Sequence, residues 1–359
     1  MKWSLIKTVL AAFLVVITFA FVNIEDSKTD TSFEWQTQES GTKASLRGVS
    51  AVSEKIAWAS GSSATVLRTL DGGKTWETIK TTGDSSLDYR DVQGFDADTA
   101  IIMSAGRPAK IYKTTDAGKS WQECYSNNSE GVFLNSIAFW DWKNGIAVGD
   151  PLDGYFIVLI TQDGGESWKR IPAENIPAPH GNEAQFAASG TCVKVLGNGK
   201  AWFATGGSTA RVFRSSDYGR TWSVADTRML SGVSSQGIFS VDFYDEMTGA
   251  IVGGDYQAPE RKIANSAITR DGGITWQLIK ENGPQGFRSC VAYLPGSDGR
   301  VMINVGVSGS DCSRSGGESW NLFSNTGFHA FSFSPDGTGW AVGSEGRIAQ
   351  LVHGSSDKN

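Results

Sequence analysis

The sequence predicts an all-β fold, a seven-bladed β-propeller whose last blade is closed by the N-terminal strand. Three observations carry this reading. The pattern Ser/Thr-x-Asp-x-Gly-x-Ser/Thr-Trp occurs five times intact and once with the Asp replaced. Successive Trp residues of the pattern are 45, 47, 54, 54 and 44 residues apart, the length of one four-stranded blade. A second series, a strand ending in Gly, runs in phase with the first and counts seven.

The intact copies run Thr69–Trp76, Thr114–Trp121, Thr161–Trp168, Ser215–Trp222 and Thr269–Trp276, and the sixth, Ser313–Trp320, has Ser315 in place of Asp. Each fits a tight turn between the third and fourth strands of a blade. The Asp carboxylate accepts backbone N–H bonds, Gly takes the positive φ, and Trp buries area between blades. Five periodic copies serve a scaffold, so these Asp residues are read as structural. The Gly-ended strands are Trp58–Gly61, Met103–Gly106, Ile146–Gly149, Phe203–Gly206, Ala250–Gly253, Ile303–Gly306 and Trp340–Gly343. No Trp follows the last one. Phe33-Glu34-Trp35, lying 41 residues before Trp76, supplies the missing outer strand beside Gly346–Val352. Closure of this kind removes the open sheet edges.

Composition agrees and narrows the function. Among 359 residues, 43 are Gly and 13 are Trp, and no long helical apolar period occurs. A net charge of -6 argues against nucleic-acid binding, which needs a dense Lys/Arg footprint. Lys2 and Lys7 precede an apolar run from Thr8 to Val22, the pattern of a secretory signal. Residues 1–22 are therefore expected to be a signal peptide or an uncleaved signal anchor, 23–32 a polar tether, 33–352 the propeller and 353–359 a C-terminal tail. The chain is expected to be exported, periplasmic or secreted, and monomeric, touching a membrane only through its N-terminus. Cys124, Cys192, Cys290 and Cys312 fall on different blades or non-neighbouring strands and are read as free thiols. With only His180, His329 and His353 and no Cys cluster, no metal site is expected, and no Gly-rich phosphate loop or other cofactor motif is found.

These segments resemble the Asp-box (BNR) repeat, over residues 33–352. That repeat also occurs in sialidases, sortilin-type receptors, xyloglucan-active glycosidases and photosystem II assembly-factor propellers. The compact blades look most like the assembly-factor group and its bacterial relatives. WD repeats fit less well, because the residue after each box Trp is Glu77, Gln122, Lys169, Ser223, Gln277 or Asn321, never Asp. The resemblance implies a non-catalytic binding or assembly propeller that recognises a protein partner or acidic ligand. A sialidase-like or other glycoside hydrolase is the alternative.

Strand direction places any site on the face opposite the boxes, where the extra length falls: Arg170–Ala184, Ser223–Gly237, Gly254–Ala264 and Gly149–Gly154. The innermost strands begin with Arg47, Arg90, Asn135, Arg288 and His329. Three arginines at one channel mouth suit a carboxylate, through bidentate hydrogen bonds. The competing reading pairs them with Asp91, Asp150, Asp255 or carbonyls in a wet channel. For a hydrolase, Asp150, Asp153, Glu183 and Asp255 supply carboxylates, with Tyr256 beside the last. An Arg-Ile-Pro entry motif and a clear Tyr–Glu nucleophile arrangement are both missing. The candidate ligand-binding set is Arg47, Arg90, Arg288, Asp150, Glu183, Asp255, Tyr256 and His329.

Overall fold

A computed structural model of the chain describes residues 32–81 and 84–353. The expected signal segment, most of the tether and the tail beyond His353 lie outside the described residues. Seven four-stranded antiparallel sheets form the seven blades. Their innermost strands are, in order, Leu46–Ala51, Tyr89–Gly94, Leu134–Phe139, Val193–Leu196, Gln236–Phe243, Cys290–Tyr293 and Ala330–Phe333. The outer strand of blade 7 is Phe33–Gln38, paired antiparallel with Ile348–His353 from Phe33↔His353 to Gln38↔Ile348. The strand thus reaches one residue past the predicted domain end.

The second strands are apolar on both faces because both are covered. Ala57–Gly61, Ala100–Ser104 and Met302–Gly306 are buried throughout. Seven hydrophobic clusters result, one in each gap between neighbouring blades. The one holding Leu46, Ala57, Trp340 and Val342 joins blade 7 to blade 1 and closes the ring. Polar side chains of the inner strands add cross-blade bonds. Ser50 Oγ accepts from Gly94 N, Asp91 Oδ2 from Ile137 N, and Ser332 Oγ from Ala51 N.

The repeated turn is built as its residues dictate. In the first copy Asp71 accepts from Thr75 N at 2.9 Å and Thr75 Oγ1 at 2.7 Å, while Thr69 Oγ1 accepts from Gly73 N at 2.8 Å. Gly72 N then donates to Lys55 O in the turn between the first two strands, which ties the two turns of that face together. In the sixth copy Ser315 Oγ stands in for the carboxylate, accepting from Ser319 N at 2.9 Å and lying 2.9 Å from Ser319 Oγ. All four cysteines are free, three of them buried and Cys124 half-buried.

Second-strand glycines have a steric cause. A Cβ on Gly61 or Gly306 would run into the carbonyl oxygen of Ser45 or Phe287, where the chain enters the inner strand. All four predicted loops prove to be partly strand, two of them by their first residues alone, Arg170 in one and Gly254 with Asp255 in the other. Ser223–Asp226 is the outer strand of blade 4, and Asp150–Leu152 continues the second strand of blade 3.

Candidate functional site

Four inner strands carry a β-bulge at one equivalent place, between Leu46 and Gly48, Tyr89 and Asp91, Leu134 and Ser136, and Ile238 and Ser240. The inserted residues are Arg47, Arg90, Asn135 and Phe239. A bulge leaves one residue outside the ladder and re-aims its side chain. The glycines fix the same phase in blades 6 and 7. A Cβ on Gly61, Gly253, Gly306 or Gly343 would meet the Cα of Leu46, Ile238, Arg288 or Phe328. The next residue in blades 6 and 7 is therefore Ser289 or His329. Arg47, Arg90, Phe239, Ser289 and His329 all line one cavity of about 410 Å³ on the face opposite the boxes.

The cavity has a floor that the sequence reading did not foresee. Gln185–Thr191, entering blade 4, lies across the central channel. Arg90 Nη1 of blade 2 donates to Ala187 O at 2.9 Å, and Ser136 Oγ of blade 3 donates to Gly190 O. Ser189 Oγ donates to Ser289 O of blade 6 at 2.7 Å, and Thr191 Oγ1 donates to Ser240 Oγ of blade 5 at 2.7 Å. Gln185, Phe186, Ala187 and Ala188 line the cavity from this segment. Phe133, Phe287, Val307 and Tyr256 complete the wall.

One side of this cavity is cationic. Arg90 is paired with Asp88, Nε to Oδ2 at 2.6 Å. Arg47 is half-buried and forms no side-chain hydrogen bond or ion pair among the described residues. Burial and then the Arg90 charge pull its guanidinium below the ordinary value, and Asp88 opposes them. An arginine so placed stays charged at neutral pH. His329 is held down to about 4 by burial, then by Arg47, Arg347 and Arg90, so its ring is neutral at pH 7. Its Nε2 lies 2.9 Å from Ser344 Oγ.

Of the eight candidate residues, Arg47, Arg90, Tyr256 and His329 meet in this cavity, and four lie elsewhere. Arg288 stands one position before the bulge, in the phase of Leu46, Tyr89, Leu134 and Phe328, and is fully buried. Its Nε donates to Asp311 Oδ2 at 2.7 Å and its Nη1 to Phe287 O and Ser308 Oγ. Glu183 is buried against Arg211, with contacts of 3.0 Å to Nε and 2.6 Å to Nη2, and accepts from Thr205 Oγ1. Asp150 accepts from Asn135 Nδ2 and Gln185 N, both at 2.9 Å, and burial raises its carboxyl above the ordinary value. Asp255 is buried at the end of its strand; burial alone would raise its carboxyl, but hydrogen bonds from Gln236, Ser235 and Gln257 N hold it below the ordinary value. Asp150, Glu183 and Asp255 thus brace loops around the cavity instead of facing it. Asp153 is exposed in the turn beyond the second strand of blade 3.

Apart from Tyr256, the cavity aromatics went unnoticed in the sequence. Phe239 sits in the phase of Arg47, a signal that could have found it. Phe186 lies in an aperiodic stretch between Trp168 and Val193 and gave none.

Comparison with known proteins agrees with the architecture. The family model described as photosynthesis system II assembly factor YCF48 matches residues 27–132, and the BNR/Asp-box repeat model matches residues 267–278. A structure titled "YCF48 bound to D1 peptide" is 18% identical, with a TM-score of 0.63 over 89% of this chain and 97% of that one. YCF48 from Cyanidioschyzon merolae is 17% identical, with a TM-score of 0.63 over 88% and 98%. A GH74 xyloglucanase from Xanthomonas campestris is 14% identical, with a TM-score of 0.61 over 88% of this chain and 53% of that one. No curated protein sequence matches. The chain is an Asp-box propeller similar to the YCF48 assembly factors, and at these identities the solved structures share its fold.

Proposed function

We propose that the chain is a non-catalytic, assembly-factor-like propeller that binds a segment of a protein partner at the funnel cavity, gripping a carboxylate with Arg47 and Arg90. The observation that carries this reading is Arg47, a half-buried guanidinium without an ion-pair partner among the described residues, beside a second arginine in the wall of the cavity. Leaving such a cation unpaired is unfavourable, and an incoming carboxylate relieves it through charge-assisted hydrogen bonds. Low-dielectric walls strengthen the attraction despite the overall negative charge. The similarity to a propeller described as bound to a D1 peptide supports a peptide as the ligand class. Lys2, Lys7 and the apolar run after them support export, with the propeller working outside the cytoplasm, free or held at the membrane by its N-terminus.

The hydrolase alternative gains no support from the geometry, because Asp150, Glu183 and Asp255 are each engaged in structural hydrogen bonds and Asp153, exposed in its turn, does not line the cavity. The test is partner capture by Arg47→Gln combined with Arg90→Lys. The reading predicts at least about a tenfold loss of affinity, ~1.4 kcal/mol, with the propeller still folded. Undiminished capture by the folded double variant contradicts it.

A further inference from the structure

We propose that the aromatic side of the funnel cavity selects a partner segment with a bulky apolar side chain next to its carboxylate. This rests on the carboxylate reading above and specifies the ligand further. Phe186 and Phe239 stack face to face, with centroids 3.8 Å apart and planes 10° from parallel. Phe287 meets Phe239 edge-on at 4.6 Å and 89°, and Tyr256 does so at 6.2 Å and 79°. These four rings come from three different parts of the chain, the blade 4 entry segment, blade 5 and the blade 6 entry.

The stack is built in. Gly206 and Gly237 pair in an isolated bridge behind Phe186. A Cβ on Gly237 would lie 2.8 Å from Phe186 Cε2, and one on Gly206 closer still. Two glycines in register thus clear the space in which the ring lies flat. Asp150 holds Gln185 N, the residue before the ring, and Arg90 holds Ala187 O, the residue after it. Arg90 and the aromatic wall are therefore joined through one backbone segment.

Charge and polarity together define the occupant. A small hydrophilic anion would satisfy Arg47 and leave the partly exposed Phe186, Tyr256 and Val307 wet, whereas an apolar group alone would bury Arg47 unpaired. A segment offering both satisfies both halves, and a volume of about 410 Å³ holds a side chain and a carboxylate but not a folded domain. Tyr256, 47% exposed, stands at the rim as the ring an entering side chain meets.

Calorimetric titration of the folded propeller with acetyl-Ser-Gly-Phe-Glu-Gly-Ser-amide tests this, beside analogues with Gly for Phe or Gln for Glu. A tripeptide, acetyl-Ser-Gly-Phe, with a free or an amidated end separates a chain-terminal carboxylate from a side-chain one. The expected result is binding at least about tenfold tighter for the Phe peptide than for its Gly analogue. That ratio should fall at least threefold in Phe186→Ala and in Tyr256→Ala, while the penalty for Gln in place of Glu persists. Tyr256→Ala, at an exposed ring, keeps the test open if Phe186→Ala fails to fold. Equal affinities for the Phe and Gly peptides, with the Glu dependence intact, overturn the selectivity and leave the carboxylate reading standing. If neither Gln for Glu nor amidation of the tripeptide weakens binding, the carboxylate reading itself is overturned. Absence of binding by every peptide at millimolar concentration overturns both.

Discussion

Arg47 and Arg288 show how much one position matters along a strand. Both open an inner strand, and in the sequence they look equivalent. The bulge at Arg47 turns its side chain to the cavity, while Arg288 stands one residue earlier in phase and is fully buried against Asp311. Breaking one partner of a buried pair leaves the other charge uncompensated, so Arg288→Met should cost about 3–5 kcal/mol of stability. Arg47→Met should leave the melting curve nearly unchanged, and similar losses in the two variants would contradict the assignment. The box carboxylates make a second residue-scale prediction. Hydrogen bonds from Ser120 hold Asp116 at about 2. At Asp163 burial alone would raise the carboxyl, but the bonds from Ser167 and Thr161 prevail and hold it at about 2 as well. With folded values below the ordinary 3.8, the unfolded chain takes up protons first. Their contribution is present above about pH 4 and is lost as pH falls toward 2. Melting temperatures should decline across that window, less steeply in Asp163→Asn; a flat profile contradicts the role given to the boxes. Ser315 offers the converse: Ser315→Asp restores the pattern and should add about 1 kcal/mol in denaturant unfolding.

At the scale of elements, the blades were legible because their punctuation is chemical and periodic. Box Trp residues mark the third-to-fourth turns, and Gly61, Gly149, Gly206, Gly253 and Gly306 mark positions where a carbonyl leaves no room for a Cβ. The segment Gln185–Thr191 was not legible. It has neither period, and it is held by one or two bonds to each of blades 2, 3, 5 and 6, which no local pattern encodes. The bulges were hidden for the same reason, since an inserted residue shows only when two strands are paired. Half of the candidate site residues consequently lie behind the cavity, not in it, and the aromatic wall beyond Tyr256 had to come from the fold. The seam is the clearest element-scale prediction. Trp35 packs against Phe323, Phe328 and Phe331 and donates from Nε1 to Ser310 Oγ at 3.0 Å. Removing residues 1–40 discards that packing and exposes the edge of Ile348–His353, so the melting temperature should fall on the order of 10 °C and association should rise. A truncated chain that melts like the intact one and stays monomeric would rule out a structural role for the seam.

For the molecule as a whole, the two faces differ in kind. One is tied down by repeated turns that bond to each other, and the other gathers Arg47, Arg90 and Phe239 from the inner-strand bulges around a floored cavity with cationic and aromatic sides. The central claim is that a protein partner is held at the second face. A photo-crosslinking amino acid placed at Val307, exposed on the cavity rim, is compared with one at Met247, exposed on the box face. Both positions tolerate bulk, so the folded ring is preserved. Irradiation in the native compartment should yield a discrete partner adduct from Val307, diminished when Arg47→Gln is added, and none from Met247. An adduct formed from Met247 and not from Val307, or one from Val307 indifferent to Arg47→Gln, would contradict the account.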